Sequence, residues 1–412
     1  MTDNSRAGAF RALRVRNYRL FFVGQVLSVI GTWTQATAVG WIVLRETHDS
    51  TGLGVVVALQ FFPLLVFGAY AGTVADRGDK RRILVVTNIA SALIAVATAL
   101  LVSNDHRSVA VLAVMSLLLG CAMAFETPTR QSFVAELVQP EDIPSAVGLN
   151  GATMTGARIV GSAIAGVLIA VLGASICLYI NAASFAAVIL ALLMIRRHEL
   201  RPSVVVPRGR GQIRDGFRYV MRAHEVRFPL LAMAVVGTIS LNTQVVAPLL
   251  ARITFDSGPE LFAAFGAAVA FGALVGSLVA ARVTHSSVSL IGRSALAFGI
   301  VYSLVAFAPW AWLAMIGLAG AFFWASIYIA WSNARLQQES DDVYRGRVMA
   351  LYSIVFLGST PIGSIIVSAV AEVTNPRVAV LVGGVAAVGT GIAALARVRR
   401  HAHLVHEPLA AS

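Results

Sequence analysis

The sequence predicts an all-α membrane protein of twelve transmembrane helices in two six-helix halves, and three observations predict it. Apolar residues make up 58% of the 412 and charged residues only 13%, against about 25% charged in an average soluble domain. With a mean hydropathy of +0.79, no soluble core of this size hides that much apolar surface. The apolar residues fall in twelve runs, each near the roughly 20 residues that cross a bilayer. The basic residues gather between those runs on alternate sides, as the positive-inside rule requires.

The runs cover residues 18–44, 53–75, 83–103, 108–128, 145–172, 174–195, 227–250, 261–281, 288–308, 311–333, 348–371 and 377–397. They are continuous rather than alternating, which excludes a β-barrel. Very short links at Gly173 and near Pro309-Trp310 join antiparallel neighbours. Residues 1–17 carry Arg6, Arg11, Arg14 and Arg16 and lack a short apolar core before a small-residue cleavage site. The first run is therefore expected to be an uncleaved span rather than a signal peptide.

Of the 32 Lys and Arg residues, 27 fall in segments on the N-terminal side of the membrane. Arg45, Arg107, Arg252 and Arg377 fall on the other side, and Arg158 lies inside a span. Both termini are expected to be cytoplasmic. The longest connection, 196–226, carries eight arginines and links the expected halves, 1–195 and 227–412. After Pro202 and Pro207 it reads as a short amphipathic helix, Gln212–Ala223, with Ile213, Phe217 and Val220 on one side.

The net charge of +12 is explained by these loops, which also suit anionic lipid heads. No basic domain with a nucleic-acid-binding fold is present, so nucleic acid is not an expected partner. Cys121 and Cys177 belong to separate apolar segments and define neither a disulfide framework nor a metal site. There is no Ser/His/Asp constellation, no H-E-x-x-H and no phosphate-cradling glycine loop. ATP-driven transport on this chain is excluded, an enzyme is not expected, and neither a metal nor an organic cofactor is needed.

The halves repeat weakly. The region 67–82 aligns with that at 272–287 at a shift of about 204 residues, which sets Gly72 against Gly276, and the region from 145 with that from 348 at a shift of about 202, which sets Gly161 against Gly363. A repeated half-molecule is the hallmark of secondary transporters with a substrate site near the bilayer midplane.

Between spans two and three, residues 72–82 read GTVADRGDKRR. Gly72 allows a neighbouring helix close approach. Asp76 is a carboxylate able to accept from a helix N-terminus, and Arg77, Arg81 and Arg82 attract acidic partners and lipid heads. The alternative is that the basic run only sets topology. The second half has Ala280 or Ala281 where Asp76 would stand, so any latch is asymmetric. In span five, Gly156, Gly161 and Gly166 are spaced for tight helix packing.

The run at 72–82 matches the major facilitator superfamily pattern G-x-x-x-D-R-x-x-R-R, with an extra basic residue. Span five resembles that superfamily's antiporter pattern G-x-x-x-x-G-P-x-x-G-G, with Ser162 for the proline and Ala165 for a glycine. With the stretches 10–25, 125–138, 149–161 and 344–363, the chain resembles the branch holding bacterial enterobactin exporters and macrolide efflux proteins. The resemblance implies a bacterial cell-membrane transporter that exports a small organic compound, a drug or siderophore-like metabolite, in exchange for protons. An importer or uncoupled facilitator is the alternative. It implies a functional monomer among membrane lipids.

Charges inside the membrane are costly and mark function. Arg158, at the middle of span five, is read as binding an anionic substrate, pairing with a carboxylate, or anchoring the packing motif. Glu126, placed at the end of span four, carries a coupling proton or pairs with Arg130 one turn on. Span one, 18–44, holds no Asp or Glu. The resemblance implies a cavity lined by spans one, four, seven and ten. Its candidate lining is Gln25, Trp33 and Gln35, then Asn242 and Gln244, then Trp324 and Tyr328. Aromatic walls with few charges suit a bulky amphipathic substrate. The charged loops after spans four and ten, with Arg130, Asp341 and Asp342, are expected to pair with the 76–82 cluster as a conformational latch.

Overall fold

The computed structural model describes residues 10–47, 50–201, 212–282 and 287–406. Those residues form helices and turns, with no strand among them. The first six spans are α1 (Arg16–Thr47), α2 (Ser50–Arg77), α3 (Lys80–Ser103), α4 (Val109–Leu137), α5 (Ile143–Leu172) and α6 (Ala174–Met194). The linker helix α7 (Gln212–Arg222) precedes α8 (His224–Ile239) and α9 (Thr243–Leu249). Then come α10 (Pro259–Ala280), α11 (Val288–Ala306), α12 (Ala311–Glu339), α13 (Asp342–Val373) and α14 (Pro376–His406). Among the described residues, twelve segments are long and apolar enough to cross a membrane, so this is a multi-pass membrane protein. Of the expected linker, residues 202–211 lie outside the described residues.

Local chemistry sets the helix ends. Asp79 caps α3 by accepting from the Arg82 N–H at 3.1 Å, and Ser287 caps α11 by accepting from Leu290 N–H at 3.2 Å. The α5–α6 turn is one residue, Gly173, at φ +86°, where a side chain would be strained. Two expectations are corrected. Span four does not stop at 128, because α4 runs on to Leu137. Pro128 removes one donor there, yet Thr129 and Ser132 hydroxyls bond back to the Phe125 and Pro128 carbonyls, and the helix continues. Glu126 therefore sits inside a helix rather than at its end.

Span seven is not continuous. It is α8, a break at 240–242, α9, and a π-helical turn at Leu250–Thr254. Asn242 Nδ2 donates to the Thr238 carbonyl at 2.6 Å, taking the place of a helical N–H, and Ser240 Oγ donates to the Gly383 carbonyl. Pro248 lacks the next donor, which favours the wider turn that follows.

Two compact units divide the chain. One holds Met1–Pro207 with Ala247–Arg252 and Asp256–Ala267, and the other holds Arg208–Val246, Ile253–Phe255 and Ala268–Ser412. The first unit thus takes in the end of span seven and the start of span eight. Within it, the Arg252 guanidinium lies 5.8 Å from the Trp41 ring centroid. A Cβ added at Gly166 would meet that of Ala263, and one at Gly266 would lie 3.0 Å from Ser162 Oγ.

The same close helix pairs recur inside each unit. In the first, a Cβ at Gly120 of α4 would strike the Gln60 carbonyl of α2, and one at Gly161 of α5 would lie 2.6 Å from the Ile30 carbonyl of α1. In the second, Gly272 and Gly276 of α10 sit against the Ala319 and Phe323 carbonyls of α12, and Gly363 of α13 against Thr238 O of α8. Backbones meet where the side chain is absent, which gains dispersion contact where lipid supplies no hydrophobic drive. At one end of the first unit, Tyr18, Phe21, Leu84, Phe133 and Leu192 form a buried cluster. The Tyr18 hydroxyl donates to the Ala146 carbonyl at 3.0 Å.

Candidate transport site and charge clusters

Mid-depth in the first unit, α1 and α5 come into backbone contact at Gly161. Gly161 lets the helices close until Thr34 Oγ1 donates to the Gly161 carbonyl at 3.1 Å. One turn earlier on α5 is Arg158, whose guanidinium carbon lies 5.3 Å from the Trp33 ring centroid. The face is set by helical spacing. Val160, Ile164, Val167 and Val171 are exposed, whereas Gly161, Ser162, Ala165 and Ile169 are buried. Arg158 precedes Gly161 and Ser162 by three and four residues, so it shares the buried face.

The other lining candidates divide. Gln25 is buried. Gln35 is committed to α6, accepting from Asn181 Nδ2 at 2.7 Å inside the first unit. Asn242 is buried at the break in span seven, and Gln244 is half-buried just beyond it. On α12, Trp324 meets Phe323 edge-on at 5.2 Å, and Tyr328 is fully buried with Ser332 one turn on.

Glu126 and Arg130 are brought together at 2.9 Å across one turn of α4. Arg130 also reaches Asn150 Oδ1 at 3.4 Å and Met154 Sδ at 3.9 Å on α5. Of the two sequence readings of Glu126, the pair with Arg130 is the arrangement present.

The basic run after α2 does several jobs. Lys80 is 4% exposed and holds Glu136 of α4 at 2.6 Å. Arg81 turns to α6 and donates to the Leu192 and Leu193 carbonyls at 2.6 and 2.9 Å, where the helix ends with unpaired acceptors. Arg82 is exposed beside Asp79 at 3.2 Å. Gly72 and Asp76 are half-buried and Arg77 is exposed at the end of α2. Asp142 pairs with Arg11 at 2.8 Å.

In the second unit, Arg335 of α12 joins Glu225 of α8 at 3.1 Å and Glu339 at 2.8 Å, while Arg397 of α14 stands 3.8 Å from Glu225. The Asp341 N–H donates to the Tyr219 hydroxyl at 3.1 Å, and Tyr219 of α7 stacks on Tyr344 of α13 at 4.4 Å. Asp341 itself is exposed, and the Asp342 side chain lies outside the described residues.

Sequence reading missed three of these arrangements. Glu225 joins two arginines more than a hundred residues away; its position at the start of a span, with arginines at the ends of two others, was the available signal. The capping role of Arg81 and the Tyr219–Tyr344 stack carry no pattern in one dimension.

Twelve spans, recurrent helix pairs in each unit and charges gathered at the helix ends define a secondary-transporter type of membrane protein. The family model described as a transmembrane secretion effector matches residues 7–408, and the chain belongs to that family of the major facilitator superfamily. Among its relatives, the staphyloferrin A transporter of Staphylococcus aureus is 26% identical over 366 residues, covering 86% of this chain and 89% of that protein. Macrolide efflux protein A of Streptococcus pyogenes is 24% identical over 369 residues, covering 86% and 90%. The multidrug efflux pump Tap of Mycobacterium tuberculosis is 25% identical over 422 residues, covering 96% and 94%. Among solved structures, a bacterial homologue of the iron transporter ferroportin, in an inward-facing state, matches with a TM-score of 0.74 at 13% identity, covering 92% and 98%. The nucleoside transporter NupG matches with a TM-score of 0.67 at 15% identity, covering 92% and 98%. These last two likenesses carry the fold alone.

Proposed function

We propose that this protein exports a small organic compound, a drug or siderophore-like metabolite, by alternating access coupled to proton entry. The observation that carries the reading is the family match over residues 7–408, together with relatives named for macrolide and multidrug efflux. Two six-span halves, 1–195 and 227–412, rock about a midplane site, and substrate and protons shift the populations of the two states. The excess of basic residues in alternate loops supports cytoplasmic termini in this scheme. Glu126 is the coupling carboxylate in this scheme: protonation releases Arg130, and deprotonation restores the pair. The cluster from Asp76 to Arg82 closes the cytoplasmic end as a latch with the acidic loops after spans four and ten.

The test uses inverted membrane vesicles holding an acid-inside pH gradient, a panel of antibiotics, dyes and siderophores, and a pH-sensitive dye inside. Protein-dependent alkalinisation on adding a compound is the expected result, with Glu126→Gln abolishing it while the protein remains folded. Full coupling in Glu126→Gln removes Glu126 from the scheme. Compound movement with no pH response removes proton antiport and leaves a facilitator.

A further inference from the structure

We propose that Arg158, backed by Trp33, is the anchor for a negatively charged group of the transported compound, so that the substrate is an organic oxyanion such as a carboxylate rather than a lipophilic cation. The proposal rests on the transport reading and names the substrate class for it.

Position comes first. Arg158 is 15 residues from the start of α5 and 14 from its end, roughly 21–23 Å along the helix from either terminus. Trp33 is likewise near the middle of α1. At that depth a long side chain cannot reach water at a membrane surface. The buried face it shares with Gly161 and Ser162 turns it away from the exposed valines of α5.

Charge comes second. A guanidinium stays protonated wherever it is placed, and its five N–H groups all donate. Inside a membrane such a group is costly unless an anion or a polar cavity meets it. Among the described residues no carboxylate lies within ion-pair distance of Arg158, and its recorded interaction is with the Trp33 ring. The carboxylate on the adjacent helix, Glu126, is taken by Arg130 at 2.9 Å. The ring covers one side of the cation and leaves the N–H edge open. A planar carboxylate fits that edge with two parallel hydrogen bonds. The same charge repels a cationic compound brought into the site.

Arginine also distinguishes this reading from a packing anchor. Gly161 already brings α1 and α5 into backbone contact, and Thr34 ties them. A packing role at 158 asks for an apolar side chain, not a guanidinium.

The experiment uses fluorescein, an anion at pH 8, and rhodamine 6G, a cation on the same ring system. Binding of each dye to the purified full-length protein in lipid nanodiscs is read by fluorescence anisotropy. Uptake into inverted vesicles is read in parallel. Wild type is expected to bind fluorescein more tightly than rhodamine 6G. Arg158→Gln is expected to weaken fluorescein binding by about ten-fold or more, the loss of hydrogen bonds to a charged group. Arg158→Lys, which keeps the charge without the planar fork, falls between; its gel-filtration profile guards against misfolding. Preference for rhodamine 6G, no binding of either dye, or unchanged fluorescein binding in Arg158→Gln overturns the proposal. The first and last of these leave the export reading standing. Arg158-dependent fluorescein binding without movement into inverted vesicles upholds the oxyanion site and overturns export instead.

Discussion

Gly156 and Gly161 belong to one motif on one helix, yet replacing each by alanine should have opposite effects. A Cβ at Gly161 would stand 2.6 Å from the Ile30 carbonyl oxygen, 2.8 Å from Trp33 Cβ and 3.3 Å from Thr34 N. All three are fixed to the α1 backbone, so no flexible side chain can yield. The closest contact falls about 0.8 Å short of an ordinary 3.4 Å separation, and α1 and α5 must part. Overpacking of this kind costs about 1–3 kcal/mol. Stretching the Thr34–Gly161 hydrogen bond adds about 0.5–1.5 kcal/mol, against a gain of up to about 1 kcal/mol in helix propensity. The net expectation for Gly161→Ala is a loss of about 1–3 kcal/mol. A Cβ at Gly156 meets nothing within 4 Å, so Gly156→Ala keeps the propensity gain and is neutral or stabilising by up to about 1 kcal/mol. Thermal stability of both variants in one detergent, followed by fluorescence-detected gel filtration, separates them. Equal melting temperatures would refute the α1–α5 contact as described.

Lys80→Met strands the Glu136 carboxylate at a site where Lys80 is 4% and Glu136 14% exposed, and should cost about 3–5 kcal/mol. The double variant Lys80→Met/Glu136→Leu should recover most of that in the same melting assay, and no recovery would count against the pair. Asp76→Asn should weaken the proposed latch and bias the protein toward the inward-open state. Spin-label distances across the cytoplasmic face read this directly, and unchanged distance distributions would rule Asp76 out of the latch.

Much of the architecture is legible along the chain because span length and apolarity are one-dimensional. The repeat was visible for the same reason: Gly161 and Gly363 aligned in sequence, and each lies against a carbonyl of the span it packs on. The break in span seven was not visible, because the run is apolar enough on average to read as one span despite Ser240, Asn242 and Gln244. Its cause is what Asn242 and Ser240 bond to, the Thr238 and Gly383 carbonyls, and a hydropathy pattern does not register that. Gln35 was a lining candidate by depth alone, and Asn181, 146 residues away, decides where its amide goes. Lys80 and Arg81 are adjacent basic residues in one run, yet one meets a carboxylate and the other caps a helix.

By itself, then, the sequence determined a twelve-span helical transporter, its family and the glycines able to bring helices together. Those follow from the cost of exposing peptide groups and charges to hydrocarbon, which each segment meets through its own composition. Only the tertiary structure decided which glycine is pressed against a neighbour, which carboxylates are already held, and that Arg158 faces Trp33 with no acid at ion-pair distance among the described residues. Partnership depends on distances across helices far apart in the chain, and those are set by packing rather than by the identity of any one residue.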